Sequence, residues 1–489
     1  MEDSDSKPMA SMMSAYSNGV PVALDSAIRH IKGVNVNTLS VSPVSGATSV
    51  ASSGQIRVLL PSNSYYDLQS LKLHFSVTTT GTVTKLPPVK TLFERVQVQC
   101  GGVTIYNSGS FFGQQEYCYS INENRPYNNL SDKGFIAVAT DAIGGASTTR
   151  ESYAQTLGSN GGTLFSVDLG EFGRSFCPRI FNASIAPQME VIFYLASNNV
   201  LMCSAGADAP GNTDGNSVTE ANTTTNDQTF SITNAVMLVN AYALSDNLFS
   251  LAQAQRMQDI GYVECAYKNT IPFNQSWNGS ARFSLGCASL SKLTALWKLS
   301  THSSVGAPVP LAGKCMQTSA NGNAVGALVH YEYEGLGFVA KSGKVQLQAK
   351  FLQQQAPTHT GATNAKYSTA GILPLTFQFF INASASPQTK LNQSQWLDQV
   401  KWANSVHDID VTNLPEYLNN KFSIAQAYSL PTYPHQKRTV SGIDSRSTSS
   451  FFELRADNSK TDGTYDCLIL AETDVMLRIG AGKSLQIIS

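Results

Sequence analysis

From Asn35 onward, apolar side chains recur at every second position in short runs broken by Gly, Pro, Asn and Ser. A chain patterned this way folds as many short strands, each apolar on one face. Leu71, Leu73, Phe75 and Val77 alternate with Lys72, His74 and Ser76, and Val96, Val98 and Cys100 repeat the pattern. Gly101-Gly102 then supplies a tight turn, and Val103 and Ile105 continue as a hairpin partner. Further runs of this kind lie at 188–196, 230–244, 281–285, 293–299, 344–352, 373–381 and 467–488. Helical signals are few. One covers Ser245 to Asp259, with Ser245 or Asp246 as N-cap, apolar Leu248, Leu251, Ala252 and Met257, and Gly261 beyond its end. Another covers Asn392 to Val406, where Trp396, Leu397, Val400 and Ala403 form a stripe that reads as core packing rather than a cofactor box.

The helix over 245–259 separates two strand-rich stretches of similar length, 35–244 and 260–489, each sized for one β-sandwich or barrel. Eight strands of about 5 to 6 residues occupy only about 50 positions, so each stretch also carries long loops. The clearest is 204–229, which has no large apolar residue and is rich in Gly, Asn, Asp and Thr. No repeat at solenoid or propeller periods is visible. Asn-Ala-Ser-x-x-Pro-Gln occurs at 182–188 and again at 382–388, and reads as coincidence. Residues 1–34 lack sustained periodicity and read as an arm, disordered or ordered only by a neighbour.

Charge excludes several functions. Lys plus Arg number 33 and Asp plus Glu 34, so the formal net charge of the 489 residues is -1. Without basic blocks, tight salt-dependent wrapping of nucleic acid is disfavoured. Only 14% of residues are charged, while Ser, Thr, Asn and Gln number 155, so surface polarity comes mostly from uncharged side chains. At 42% apolar residues the chain is not disordered. No apolar run reaches the roughly 18 to 20 residues of a membrane helix, and residues 1–19 lack the basic and apolar regions of a secretory signal. On that reading the eight cysteines (100, 118, 177, 203, 265, 287, 315, 467) are reduced thiols. The seven Asn-x-Ser/Thr sequons, at Asn129, Asn182, Asn222, Asn274, Asn278, Asn382 and Asn392, matter only where glycosylation enzymes act.

The motifs that suggest chemistry each fail on context. Gly480-Ala481-Gly482-Lys483-Ser484 resembles the end of a phosphate-binding loop, but Leu477 stands where the first glycine belongs and no room follows for the receiving helix. Gly335-x-Gly337 with Val339-Ala340-Lys341 has kinase-like elements at collapsed spacing. The seven histidines (30, 74, 302, 330, 359, 407, 435) are far apart, which does not favour a metal site. Glu332 and Glu334 would share one strand face, a solvated face rather than a glycosidase pair, and 407–410 and the acids of 204–229 lack EF-hand spacing. No catalytic, cofactor-binding or metal-ligating residue is assigned, and the chain reads as not an enzyme.

Three stretches together resemble the double jelly-roll major capsid proteins of icosahedral double-stranded DNA viruses, a group that includes nucleocytoplasmic large DNA viruses, virophages and polinton-like viruses. They are Leu92 to Ile105 (strand, Gly-Gly turn, strand) with the Gly/aromatic segment 109–116, then Ala186 to Phe193, and finally Ala471 to Leu485 with its Leu477-Arg478-Ile479 ending. Gly442-Ile443-Asp444 and Phe451 to Arg455 suit the strand before the last. The segment after Ile105 lacks the tryptophan-rich pattern of the large-virus branch. The resemblance implies an all-β fold of two consecutive eight-stranded jelly rolls (35–244 and 260–489) joined by the linker helix 245–259 and preceded by the arm 1–34. It further implies a homotrimer forming a pseudo-hexagonal capsomer, located in the virion, and assembled inside the host cell. Implied partners are neighbouring capsomers, minor capsid and penton proteins, and a host receptor at the outer loops, without sequence-specific nucleic-acid binding or cofactors. The alternative reading is a jelly-roll carbohydrate- or receptor-binding spike, with a polysaccharide-cleaving enzyme third.

Overall fold

A computed structural model describes residues 34–44, 49–80, 84–85, 89–122, 138–143, 146–151, 164–200, 202–203, 229–244, 248–300, 354, 356–357, 375–382, 384–404, 422–429, 441–446, 451–457, 459 and 465–489, with two short strands at 16–17 and 20–21. The rest of the arm, the loop 204–228, the run 344–352, Glu332 and Glu334, the segments 335–341 and 407–410, and every histidine but His74 lie outside the described residues.

The main strands of the first unit are β1 (Val34–Val41), β2 (Ser49–Ala51), β3 (Gln55–Leu59), β4 (Tyr65–Asp67), β5 (Lys72–Thr80), β6 (Phe93–Cys100), β7 (Val103–Asn107), β8 (Leu164–Asp168), β9 (Ile180–Asn182), β10 (Met189–Leu195) and β11 (Thr229–Leu244). One sheet has the order β7-β6-β10-β3 and the facing sheet the order β8-β5-β11-β4-β9, with β1 and β2 also paired to β11. The second unit contains β12 (Tyr262–Trp277), β13 (Ser280–Ser284), β14 (Leu290–Leu299), β15 (Thr376–Ile381), β16 (Ser384–Asn392), β17 (Ser423–Ala427), β18 (Phe451–Asp457), β19 (Tyr465–Gly480) and β20 (Leu485–Ile488). Its sheets run β16-β15-β18-β13 and β17-β14-β19-β12, with β20 added to β19. Helices α1 (Phe112–Asn122) and α2 (Glu171–Ser175) belong to the first unit, α3 (Leu248–Asp259) links the two, and α4 (Gln393–Ala403) belongs to the second.

The two units therefore share one interleaving, in which a fifth-fourth-seventh-second sheet faces a sixth-third-eighth-first sheet. This is the double Greek key of a jelly roll, present twice. The sequence shows no such repeat because burial, not residue identity, is what the two halves have in common.

Local chemistry explains the elements. Leu71, Leu73, Phe75 and Val77 are buried, and the intervening Lys72, His74 and Ser76 are half-buried on the opposite face. Gly101 and Gly102 sit at φ +58° and +81° between the paired Cys100 and Val103, the geometry of a two-residue hairpin turn in which both central residues need positive φ. Helix α4 is closed at its start by a reciprocal cap, in which Gln395 N donates to Asn392 Oδ1 and Asn392 N donates to Gln395 Oε1, each at 2.9 Å. Its Trp396 and Val400 are fully buried, so its stripe is core packing. Gly261 follows the linker helix α3 at φ +88°. No helix among the described residues is long and apolar enough to cross a membrane.

Each unit has its own core. The first gathers Phe75, Phe93, Phe165 and Phe193, and the second Trp277, Trp297, Phe377 and Phe422. Trp277 meets Trp297 edge-on at 5.3 Å. The strands β12 and β19 pair along all their length, from Tyr262↔Gly480 to Trp277↔Tyr465, and they serve both cores. Cys265, Tyr267, Val475, Leu477 and Ile479 belong to the first, while Trp277, Cys467, Ile469 and Ala471 belong to the second.

Candidate functional site: the seam between the two units

The surfaces that join the two units are held by elements that a pattern search does not find. Helix α1 shows no amphipathic stripe because residues 112–119, more than two full turns, are all buried, including polar Gln114, Gln115 and Glu116, as is Asn122 at its end. A helix enclosed all round cannot announce itself by a polar face. Phe112 and Tyr117 enter the first core. Cys118 and Tyr119 pack on Leu296, Leu468 and Leu470 of the second unit as a separate apolar cluster.

Polar contacts cross the same seam. Ser423 Oγ donates to Asn122 Oδ1 at 2.9 Å, Lys298 Nζ donates to Gln114 Oε1 at 3.2 Å, and the Tyr119 and Thr270 hydroxyls lie 3.0 Å apart. Just beyond the end of α2, main-chain bonding is added where Cys177 and Ala266 exchange two backbone hydrogen bonds of 2.8 and 2.7 Å. Lys268 N donates to Ser175 Oγ at 2.7 Å, and the Tyr267 hydroxyl donates to the Ile105 carbonyl. Tyr267 also stacks on Phe176 and meets Phe172 edge-on at 4.9 Å.

Two buried charge clusters flank the seam. On the first unit, Arg174 grips Glu116 with both terminal nitrogens, at 2.8 and 2.9 Å, and reaches Asp168 at 3.2 Å. Lys90 bridges the same two carboxylates at 2.8 and 3.1 Å. Burial works against the charge on Arg174, but Glu116, Asp168 and Glu171 outweigh it and hold the guanidinium well above the ordinary arginine range. On the second unit, Glu472 lies between Lys268 and Lys292, with Lys292 Nζ 3.0 Å from Oε2. Burial alone would raise the Glu472 pKa, and the two ammonium groups reverse that and hold it far below the usual carboxylate range. Glu116, Asp168 and Glu171 share the two cations Arg174 and Lys90, and Glu472 lies against two cations of its own, so the buried carboxylates are ion-paired on both sides of the seam.

Close approach is also required at Gly109, which has φ +66° and faces Pro272 of the second unit. A Cβ there would lie 2.6 Å from the proline Cγ. Gly109→Ala is expected to cost about 2–3 kcal/mol, from left-handed backbone plus overpacking at the seam. The denaturant midpoint measures this, and an unchanged midpoint contradicts a tight seam.

The other motifs resolve without chemistry. Gly480 to Ser484 forms a short turn between β19 and β20, with no helix after it. Six cysteines are free thiols (100, 118, 177, 265, 287, 467), and burial pushes Cys100 up to about 11 and Cys265 up to about 12, far from reactive thiolates. Among the described residues no group of three His, Cys, Asp or Glu could hold a metal ion. Of the sequons, Asn182 is buried and donates to Gln253 Oε1 at 2.6 Å, and Asn392 serves as the cap described above. Asn274, Asn278 and Asn382 are exposed, and Asn129 and Asn222 lie outside the described residues. The two Asn-Ala-Ser-x-x-Pro-Gln copies stand at non-equivalent points, one running from the end of β9 up to β10 and the other from the turn after β15 into the first half of β16.

The sequence matches no family model and no curated protein. Solved structures do share its architecture. A quasi-atomic model of the PBCV-1 virus capsid is 12% identical over 96% of this chain and 99% of that one, with a TM-score of 0.52. The Faustovirus major capsid protein is 10% identical over 98% and 96%, with a TM-score of 0.51. PBCV-1 VP54, as fitted into a reconstruction of the virophage Sputnik, is 10% identical over 96% and 99%, with a TM-score of 0.53. At such identities the likeness is one of fold, and this chain has the double jelly-roll fold of those viral capsid proteins.

Proposed function

We propose that this chain is a major capsid protein that assembles as homotrimers, each a pseudo-hexagonal capsomer of six jelly rolls, to build the icosahedral shell of a double-stranded DNA virus. The observation that carries this reading is the seam, along which two jelly rolls of the same strand order pack on and hydrogen-bond to each other, two-sixths of such a capsomer. The near-neutral charge, with polarity supplied by 155 uncharged side chains, suits a surface that packs against many copies of itself. In this proposal the units span 35–244 and 260–489, joined by 245–259, and the arm 1–34 reaches neighbouring capsomers or minor capsid proteins. Penton proteins and, at the outer loops, a host receptor complete the partners. The protein resides in the virion, is assembled inside the host cell and has no catalytic role.

A carbohydrate-binding role finds less support. The groove lined by Phe377, Gln378, Phe380, Lys390, Arg455 and Asp457 has its aromatic face covered by Arg455, 4.5 Å above the Phe380 ring, and its Lys390 already pairs with Asp457. A sugar needs such a ring open for stacking.

Light scattering of the purified protein tests the proposal. A mass of three chains is expected, with subunit interfaces beyond the about 1,600 Å² of a standard complex. A monodisperse monomer at high concentration overturns the trimer.

A further inference from the structure

Lys292 and Lys298 each donate to a side-chain amide oxygen, Lys292 to Asn404 Oδ1 at 2.9 Å and Lys298 to Gln114 Oε1 at 3.2 Å. Of the two, Lys292 also touches a carboxylate, that of Glu472. Three elements bring this triad together. A register shift between Leu290 and Lys292 in β14 leaves Lys292 directly opposite Glu472 of β19. The half-buried Asn404 closes the C-terminal end of α4. Its amide is held in one orientation, since Nδ2 donates to the Val400 carbonyl at 2.8 Å and a carbonyl can only accept. Oδ1 therefore faces the lysine. The carboxylate is oriented as well. Its Oε1 accepts from Lys268 and, at 3.3 Å, from the Ser291 hydroxyl, while Oε2 lies 3.0 Å from Lys292 Nζ. Lys292 is 6% exposed and Glu472 1%, and the Tyr119 ring lies 5.1 Å from Nζ.

We propose that Lys292 and Asn404 join as a side-chain amide, an isopeptide bond that the chain forms on itself with Glu472 as proton relay. A nucleophile, an acyl carbon and a carboxylate in contact with the nucleophile are the parts such an acyl transfer needs. Lys292 gives a proton to Glu472, and the free amine attacks Asn404 Cγ. The Nζ–Cγ bond forms and the Cγ–Nδ2 bond breaks. Two protons leave Nζ in all, both relayed through Glu472 to Nδ2, which departs as ammonium, and nothing is oxidised or reduced. Two ammonium groups share the one carboxylate, so a proton can leave Lys292 while Lys268 still neutralises Glu472. Glu472 is a weak base in that setting, and a weak base suffices because each chain reacts once. Contact between the reacting groups compensates, since well-oriented intramolecular reactions reach effective concentrations of about 10⁵–10⁸ M. Lys298 and Gln114 have no carboxylate within ion-pair distance among the described residues, and no bond is expected there. The link ties the end of α4 to β14 across a separation of 112 residues. It is a property of the single chain and does not rest on the capsomer reading. Energies of the Glu472 ion cluster refer to the unlinked chain, in which Lys292 is still an ammonium.

Intact-mass spectrometry of the full-length protein, followed by peptide mapping, tests the bond. The expected result is a mass below that of the sequence by one ammonia, with a branched peptide joining Lys292 to Asn404. Lys292→Arg keeps the positive charge but lacks the amine, and should restore the full mass. Glu472→Gln, of nearly the same shape, should slow linking by roughly 100-fold or more. Should that variant fail to fold, Lys292→Arg and Asn404→Ala carry the comparison. A folded wild-type chain that keeps its full mass after prolonged incubation at neutral pH overturns the proposal. So does a deficit of one ammonia that persists in Lys292→Arg, which marks a cyclic imide at Asn404 instead. Linking at an unchanged rate in Glu472→Gln overturns the relay.

Discussion

Glu472→Ala is expected to lower the unfolding free energy by about 3–5 kcal/mol, the largest single effect foreseen for this fold. The carboxylate is buried and lies between two ammonium groups, with Lys292 also 5.1 Å from the Tyr119 ring across the seam. Removing it takes away the carboxylate that pairs both Lys268 and Lys292 and leaves Lys268 only the weaker pull of Glu171 and Asp474, while the strand keeps its ladder of backbone bonds to β12 and β14. Chemical denaturation measures the loss. The pH dependence has a defined sign. A carboxyl held below its ordinary value of 4.5 contributes stability that is present above that value and is lost as pH falls through the folded pKa. The gap between wild type and Glu472→Ala should therefore be full at neutral pH and close only in acid, below about pH 4.5. A gap that persists unchanged to strong acid, or an effect under about 1 kcal/mol, contradicts the buried ion cluster.

Lys298→Met is expected to act in the opposite direction and stabilise the protein at neutral pH by up to about 3 kcal/mol. Lys298 is 1% exposed, and among the described residues it has no carboxylate within ion-pair distance, donates one hydrogen bond, to Gln114, and lies 5.7 Å from the Phe111 ring. Burial lowers its pKa from 10.5 to about 8, against a smaller opposing pull from Asp466. Below about pH 8 the folded state must hold a buried charge that the unfolded chain leaves in water. Between about 8 and 10.5 the folded side chain is neutral while the unfolded one is still charged, so wild type gains stability as pH rises through that window. The advantage of the methionine should shrink across the same window, because its side chain does not titrate. Denaturant midpoints of the two proteins between pH 7 and 10.5 give the comparison directly. A destabilised variant, or a difference that does not change with pH, shows that Lys298 is not held as a buried charge.

The strand pattern was legible wherever one face of a sheet is buried and the other is wet. The run at 71–77, the hairpin through Gly101-Gly102 and the capped helix at Gln393 all announce themselves because local chemistry and tertiary role agree there. The single run read at 467–488 is divided by the turn Ala481–Lys483, where Gly482 at φ +67° lets β20 fold back on β19. The segment 186–193, one of the three stretches that carry the resemblance, leads into the strand Met189–Leu195, held between β6 and β3 in the first unit.

The seam was not legible, for a physical reason. Periodicity reports a contrast between buried and exposed faces, and residues 112–119 of α1 are all buried, with no exposed face to contrast. Its Glu116 finds Arg174 and Lys90 at separations of 58 and 26 residues, and Lys268 finds Glu472 at 204, distances at which spacing carries no information. The resemblance to capsid proteins marked the right region, 109–116, without showing that it is the start of the helix on which the second unit rests.

The long β12–β19 ladder sets an order on the protein's own making. Val475, Leu477 and Ile479 fill the first unit's core although more than 200 residues of chain separate them from its strand β11. A ribosome synthesising this protein from its N-terminus therefore releases a first jelly roll with part of its interior still missing. That sandwich stays unfinished, with apolar side chains uncovered, until residues beyond 474 have been joined and β19 has zipped along β12. Completion of both units, and of the surfaces that copies would present to one another, thus waits on the same late strand, so a prematurely ended chain has no finished half with which to enter an assembly.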